Sequence, residues 1–392
     1  MRNILQHREV AIAAYAELPR VRRGSATAIE LAGRLYSEVK RTLPLASSDI
    51  DGMAVTVALS EAANPFWSNA LADSLGLSLR WLQLTDLGGC SPLANVARAA
   101  MAILTGQCET VLCLAVDAPS MGNPSHQGGY KEEFAQPTGY AGPVSSFGLI
   151  GSAYDQLHGY PHDGLARLAV AQRQGALLNP LTPPELRTPL READYLQSRI
   201  VAHPLRLLDC VMQCDGGSAL IVTAADRARG WRVERPVFPI AYAELTNDRP
   251  AEAMPDITRT GFAVVGPEVL AKAGLDCAQI GAFHPYDDFL IAVALQLEDF
   301  GFCPRGMSGR FLQTTDIAPS GSFTINPGGG QVSGGQPGLA GGSVNLVEAI
   351  RQLRNEAGAR QMPHPGPALV TGIGCIQYLR NWGTSNAMVM SQ

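Results

Sequence analysis

The chain has 392 residues, 46% hydrophobic and 17% charged, with a formal net charge of −5. At about 150 residues per domain this length implies two domains or one duplicated unit, and so apolar a composition excludes a disordered chain. The 30 basic residues form no dense run, so the strip of positive charge that grips a nucleic-acid backbone is missing. The eight cysteines form no Cys-x-x-Cys pair and have no histidine at ligand spacing, which points to reduced thiols in a cytoplasmic protein. No apolar run reaches the roughly 18 residues of a membrane span, and the apolar stretch within residues 1–17 is too short and too interrupted for a secretory signal.

Residues 10–18 read as a first strand, small and apolar. Residues 27–43 read as a helix with Ile29, Leu31, Ala32, Leu35 and Val39 on one face. Strand signals return at 50–59 and 79–84, with a helical stretch at 65–75 between them. Leu93, Val96, Ala97, Ala100, Met101 and Leu104 keep the spacing of an amphipathic helix, which Gly106 ends before a buried-type strand at 110–116. From 117 to 151 periodicity dissolves into Gly, Pro, Ser and aromatic residues, the pattern of a functional loop or cap spanning about 117–165. Helical spacing resumes at 164–178 and a strand follows at 219–223. Residues 230–239 read as a boundary, dividing the chain into halves 1–230 and 231–392. Gly341, Gly342 and Ser343 lead into a helix (Leu346, Ile350, Leu353) and a strand at 368–371, echoing what Gly89, Cys90 and Ser91 do earlier. Alternating strands and helices make this an α/β chain, and the echo points to internal duplication.

Four segments carry groups able to do chemistry. Leu87, Gly88, Gly89 and Cys90 run into the helix of Leu93, where the positive end of the helix dipole stabilises a thiolate. The same residues also fit a small buried thiol that only packs. His284, Pro285, Tyr286, Asp287 and Asp288 precede an apolar run at 290–302. Pro285 disfavours helix at His284, so the cluster falls on the loop that opens the next helix, where Asp287 and Asp288 either face a pocket or cap that helix. Residues 326–338 (NPGGGQVSGGQPG) supply positive φ and close approach of a ligand to backbone, or a pair of surface turns. They lack the lysine of a phosphate loop. Residues 202–219 read as a turn before a strand, and Cys210 and Cys214 have no second ligand pair for zinc.

In this order and at these separations, the segments resemble the thiolase superfamily, most of all the sterol-carrier-protein-type thiolases and their thiolase-like retro-aldolase relatives. Family stretches of the kind DPLRLLDC, HDCF, LLxxEDLGFC and NPxGG…GHP are matched by HPLRLLDC at 203–210, Tyr286-Asp287-Asp288-Phe289, LEDFGFC at 297–303 and residues 326–338. The resemblance spans essentially the whole chain. It implies a thiolase-like α/β fold of two similar halves in a layered α-β-α-β-α arrangement, the helix after Cys90 buried between two sheets, and a homodimer with strand 79–84 pairing across its axis.

The same resemblance implies catalytic roles for Cys90, Tyr286, Asp287 and Gln336, converging on one pocket. It implies substrate-binding roles for Gly89, Ser91, Gly329, Gly330, Gly335 and Gly374, with a coenzyme A thioester as substrate, no metal and no tightly bound cofactor. Cys90 or Gly89 falls at the nucleophile position. Tyr286 and Gln336 replace the two family histidines, and Thr371 or Gly372 falls near the C-terminal cysteine. Without those histidines, the groups best suited to proton transfer near neutral pH are gone, and Gln336 donates hydrogen bonds but is no base. The Tyr-Asp pair is similar to retro-aldolases of steroid side-chain degradation, which cleave a β-hydroxyacyl-CoA without a cysteine nucleophile and work with a small zinc-ribbon/OB-fold partner. On that likeness Tyr286, oriented by Asp287, takes the hydroxyl proton; the second tyrosine such enzymes carry near the position of Gln336 is absent. Three functions are therefore expected as alternatives. One is an acyltransferase or retro-aldolase working beside an acyl-CoA thioester. Another is a non-catalytic acyl-CoA-binding or scaffold subunit. The third is acyl transfer from Cys90 to an unrelated acceptor such as an aromatic ring.

Overall fold

The structure, a computed structural model, describes residues 3–122, 132–140, 142–249, 253–376 and 380–392. Its first half runs β1 (Val10–Glu17), α1 (Ala28–Arg41), β2 (Gly52–Thr56), α2 (Trp67–Ser74), β3 (Trp81–Thr85), α3 (Ser91–Leu104) and β4 (Thr110–Asp117). An excursion follows through α4 (Glu132–Ala135), α5 (Pro143–His158), α6 (His162–Leu178), α7 (Glu192–Gln197) and the short hairpin β5 (Ile200–Ala202) and β6 (Leu205–Arg206). The chain then returns through β7 (Gly216–Ala224) and α8 (Ala225–Gly230). The second half runs β8 (Phe238–Thr246), α9 (Phe262–Ala273), β9 (Ala282–His284), α10 (Leu290–Asp299), α11 (Ser308–Thr314), β10 (Thr324–Ile325), α12 (Gly330–Gly334), α13 (Gly342–Leu353), β11 (Ala368–Ile376) and β12 (Trp382–Ser391).

The two halves build the same sheet. The first has strand order β1-β7-β4-β2-β3 and the second β8-β12-β11-β9-β10. In each, the last-formed strand lies antiparallel between the first and fourth, and the remaining pairs are parallel. All strands of the first sheet end by Ala224 and all of the second begin at Phe238 or later. The duplication inferred from one glycine-turn, helix, strand echo thus extends to every strand.

Local chemistry accounts for the layering. Helix α1 starts at a capping box, Thr27 with Glu30, and buries Ala28, Leu31, Ala32, Leu35, Tyr36 and Val39 against the outer face of the first sheet. Helix α9 covers β8 and β12 in the equivalent place. Between the sheets lie α3 and α13, in contact with each other and with strands of both. Leu93, Val96 and Ala100 of α3 share one apolar cluster with Leu346 and Ile350 of α13, Val111 of β4, Val370 of β11 and Met388 of β12. A helix wedged between two sheets has little solvated surface, Met101 near its end being its exposed residue, which is why α3 is nearly all small or apolar residues. The layers are therefore α-β-α-β-α, as the resemblance implied.

Two expectations fail. Residues 117–151 are not uniformly irregular: α5 starts at Pro143, and its buried face is Ser146, Phe147, Gly148, Ile150, Gly151 and Tyr154. Phe147, Ile150 and Tyr154 keep helical spacing there, but Gly148 and Gly151, which pack closely on Ala202 and Pro204, and the Gly, Pro and Ser around them mask that stripe in the sequence. Residues 123–131 and 141 of the expected cap lie outside the described residues. Asp287 and Asp288 do not cap α10 either; its N-cap is Phe289, with no side-chain hydrogen bond.

One polar knot crosses the layers. Glu348 of α13 accepts from Arg351 at 2.6 Å and Arg360 at 2.9 Å, and Arg351 also reaches Glu17 of β1 at 2.8 Å, which in turn pairs with Arg20. Burial raises the Glu348 carboxyl, but Arg351 and Arg360 outweigh it and hold the group below its ordinary value. Removing one member of a buried ion pair strands its partner's charge. Glu348→Ala is expected to lower the unfolding free energy by about 3–5 kcal/mol, read as a drop in the urea midpoint at unchanged slope.

Candidate active site

Residues 87–90 form a tight 3₁₀ turn before α3, closed by the Leu87 N–H donating to Ser91 Oγ at 2.9 Å. Glycines surround this turn. A Cβ on Gly374 would overlap the Leu87 carbonyl, one on Gly342 the Gly89 carbonyl, and one on Gly372 would lie 2.8 Å from Cys90 Cα. The first-half turn is thus pressed between β11 and the start of α13, both from the second half.

Gly89 faces the candidate site. A Cβ there would overlap the ring and hydroxyl of Tyr286, so the phenol fills the space that a side chain at residue 89 would occupy. Of the two alternatives for the nucleophile position, it is Gly89 that lies against Tyr286. Cys90 is fully buried and its thiol donates to the Thr384 carbonyl at 3.4 Å, on the β12 side. Burial, then the charges of Glu244 and Cys375, raise the Cys90 thiol well above its ordinary value. The thiolate expected from the helix dipole is not favoured, because desolvation outweighs a dipole of about half a charge.

Tyr286 is 5% exposed and its backbone is clamped on both sides. Its N–H donates to Thr371 Oγ1 at 2.8 Å, and its carbonyl accepts from Gln296 Nε2 at 2.8 Å. Asn345 and Asn326 donate to the carbonyl of Pro285 at 2.7 and 3.0 Å. The Tyr286 hydroxyl accepts from Gln336 Nε2 at 3.2 Å, and the same amide donates to Gln331 Oε1 at 3.1 Å. The phenolic proton has no acceptor among the described residues. Burial first, then Asp288 and Cys90, raise the phenol well above 10, so it is held protonated.

Asp287 does not orient Tyr286. Its carboxylate accepts from Gln172 of α6 at 2.8 Å, Asn345 of α13 at 3.0 Å, and the N–H groups of Gln331 and Val332 at 2.9 and 3.3 Å. Burial pushes it up to about 7 against the pull of those donors. Its work is structural: it ties α6, α12 and α13 to the Tyr286 loop. Gly330, at φ +59°, leaves room for it, since a Cβ there would overlap Asp287 Oδ2. Gly329 packs on Ala176 and Gly335 on Cys214 and Pro183. These glycines, with Gly374 and Ser91, serve chain-to-chain packing, and segment 326–338 is buried rather than a pair of surface turns. Of the expected constellation, then, Tyr286, Gln336 and Gly89 meet, while Cys90 and Asp287 turn away.

Gln172, Gln296 and Asn345 were missed by sequence reading, and Thr371 was noted there only as lying near the family's C-terminal cysteine. Their one signal is a polar side chain within an apolar helix or strand, which must find a partner when buried. His284 is fully buried and both ring nitrogens lack a partner among the described residues. No group of three His, Cys, Asp or Glu side chains among those residues is placed to hold a metal ion. A cavity of about 780 Å³ lies away from the site, beside Tyr15, Trp231 and Arg351.

Two sheets of equal topology around a buried helical layer, with a glycine turn of one half pressed on a motif loop of the other, define a thiolase-like α/β protein. Residues 243–381 match the family described as thiolase C-terminal domain-like. The chain is 28% identical over 347 residues to a 17-hydroxy-3-oxo-4-pregnene-20-carboxyl-CoA lyase of Mycobacterium tuberculosis, covering 83% of this chain and 86% of that protein. It is 29% identical over 328 residues to a steroid side-chain-cleaving aldolase of Thermomonospora curvata, covering 79% and 81%. A solved Ltp2-ChsH2(DUF35) aldolase superposes with a TM-score of 0.85 at 26% identity over 98% of each chain. In sequence and in fold the chain is similar to members of the thiolase superfamily.

Overpacking a filled volume typically costs about 1–3 kcal/mol. Gly89→Ala is therefore expected to destabilise the protein by about that amount in urea unfolding, the added methyl colliding with the Tyr286 ring. A pH effect arises from His284, which burial holds down at about 4 from an ordinary 6.5. The unfolded chain takes up this proton below about 6.5 and the folded chain only near 4, so stability present at neutral pH is lost as pH falls between those values. Melting temperature measured from pH 7 to pH 4 should fall less steeply in His284→Met, by about one proton's worth of slope.

Proposed function

We propose that this protein is a thiolase-like retro-aldolase that cleaves the Cα–Cβ bond of a β-hydroxyacyl-CoA, releasing a carbonyl compound and a shorter acyl-CoA. The observation that carries this reading is the Tyr286 phenol standing in the volume above Gly89. An acyl-enzyme route needs a nucleophilic side chain there, and the phenol takes its place. In the retro-aldol step the hydroxyl loses its proton and its oxygen forms the new C=O. The C–C bond pair moves onto the thioester enolate, whose α-carbon then gains a proton. A phenol held protonated, its oxygen steadied by Gln336 and its own proton unclaimed, suits the last of these events rather than the first.

The lyase and aldolase names of the relatives support this reading. The Ltp2-ChsH2(DUF35) aldolase supports a DUF35-type partner of the zinc-ribbon/OB-fold kind. We further take the halves as 1–230 and 231–392, and place a homodimer contact at β3. That strand is a sheet edge with Trp81 and Leu82 half-buried and Leu84 exposed. No helix among the described residues is long and apolar enough to cross a membrane.

The test is an assay of the chain copurified with a DUF35-type partner on 17-hydroxy-3-oxo-4-pregnene-20-carboxyl-CoA, following release of the shorter acyl-CoA. Tyr286→Phe keeps the ring in place and should lower turnover about 10²–10⁴-fold. Cys90→Ala should stay within a few-fold of the parent. The reverse pattern, with Cys90→Ala inactive and Tyr286→Phe active, would instead establish acyl transfer.

A further inference from the structure

Three buried arginines of this protein each hold a carboxylate. Arg20 pairs with Glu17, Arg351 with Glu17 and Glu348, and Arg360 with Glu348. Arg173 of α6 departs from that pattern. It is only 7% exposed, yet it forms no ion pair among the described residues, and burial shifts its guanidinium below the ordinary value with no acid opposing. Its Nε donates to Ser333 Oγ at 3.4 Å and its Nη1 to the Thr188 carbonyl at 2.9 Å. Two of its five N–H groups are thus used and three are free. Nη2 has no hydrogen-bond partner among the described residues and, unlike the unpartnered Arg20 Nη2, it is not sealed from solvent. A neutral donor would hold the Thr188 carbonyl as well, without burying a charge that has no counterpart.

Arg173 lines a cavity of about 340 Å³ whose walls are otherwise largely apolar, with Leu186, Leu190, Leu208, Met212 and Val332 among them. Such a volume is at the lower end of small-ligand pockets, enough for an acyl group. Arg22 and Glu185 also line it, both on exposed loops, and neither pairs with Arg173. The cavity backs onto the Tyr286 loop. Gln172, the residue before Arg173, donates to Asp287 Oδ2 at 2.8 Å, and the Val332 N–H donates to the same oxygen at 3.3 Å. On another wall the Met212 carbonyl accepts from the Gln336 N–H at 2.9 Å, while the Gln336 side chain reaches the Tyr286 hydroxyl at 3.2 Å. A single residue, Gln336, therefore joins the cavity wall to the phenol.

We propose that this cavity receives the acyl group of the substrate and that Arg173 holds a carboxylate on it, so that the substrate class is a β-hydroxyacyl-CoA whose apolar acyl part carries a second, free carboxyl. The inference rests on the retro-aldolase reading for the thioester and the hydroxyl, and concerns the part of the substrate remote from the bond that breaks. An apolar lining accepts a hydrocarbon body, and the lone guanidinium supplies what a carboxylate needs, parallel N–H groups for its two oxygens. The phosphates of CoA fit the place less well. They carry more charge than one arginine neutralises, and their remaining oxygens would face leucine and valine with no donors. A neutral acyl group is disfavoured as well, because it would close the cavity over an unpaired charge. Arg173 thus acts as a specificity-determining residue that rejects neutral chains as much as it attracts acidic ones.

Calorimetric titration of the full chain tests this without turnover. The probes are hexanoyl-, octanoyl- and decanoyl-CoA, each beside the counterpart that ends in a carboxyl (adipyl-, suberyl- and sebacyl-CoA), with free CoA as reference. At the length that reaches Arg173, the terminal carboxyl should tighten binding about 10–100-fold, the range of a hydrogen bond to a charged group. Arg173→Met should abolish that preference while leaving free CoA within about three-fold. Its melting temperature should stay level or rise, since the substitution removes a buried charge and strands no partner. No preference for the carboxyl at any length in the parent overturns the proposal. So does an equal loss of affinity for free CoA and all six thioesters in Arg173→Met, which would put a CoA phosphate on the guanidinium. A preference that survives Arg173→Met beside a lowered melting temperature also overturns it, leaving Arg173 a purely structural part. Should Arg173→Met not fold, the parent's paired titrations decide. Failure of the retro-aldolase reading looks different: the carboxyl preference is present, but the complex copurified with a DUF35-type partner cleaves no β-hydroxyacyl-CoA.

Discussion

Residues 89 and 286 compete for one volume, and the rest of the site depends on how that competition is resolved. With glycine at 89 the phenol of Tyr286 lies directly over the turn before α3. A side chain at 89 and a phenol at 286 cannot both be accommodated in a close-packed interior. On the proposed retro-aldolase reading the choice matters, because a nucleophile would need that space to reach an acyl group and a proton donor to reach an enolate. The turn cannot retreat to make room, since Gly342, Gly372 and Gly374 already press on its far side.

Keeping a tyrosine there requires a rigid loop, and the chain supplies rigidity through buried polar contacts rather than apolar packing alone. Thr371, Gln296, Asn326 and Asn345 grip the backbone of Pro285 and Tyr286, each from a different element. Such contacts hold the loop in a single arrangement, although Asn326 Oδ1 has no partner among the described residues. Adjacent carboxyls differ in environment: Asp287, with four donors, anchors three helices to the loop, while Asp288 Oδ1 has no partner among the described residues.

Much of the architecture was legible because it depends on local period. The spacing of Ile29 to Val39 and of Leu93 to Leu104 dictates which faces are buried, and the near-absence of polar residues on α3 already implies a helix covered on all sides. Strand β4 reads as a continuous apolar run because both of its faces are covered. Helix α5 was illegible for the opposite reason. Its stripe of Phe147, Ile150 and Tyr154 is interrupted by glycine and serine where Ala202 and Pro204 come close, so it does not stand out in the sequence. The motif loops were found in the right places, since glycine, proline and paired acids mark turns whatever their function.

What the sequence determined by itself is the α/β class, the repeated glycine-turn and helix units, and the segments where chemistry gathers. Each is written in residues close together along the chain. Whether Gly89 or Cys90 faces the site, which of two adjacent aspartates is saturated, and that Gln336 rather than Asp287 touches the phenol were decided only by tertiary structure. Those outcomes depend on residues far apart in sequence: Thr384 for the thiol, Gln172 and Asn345 for Asp287, and Tyr286 for Gln336. Burial then acts on whichever group is left without a partner, raising a thiol that the helix dipole alone would have lowered.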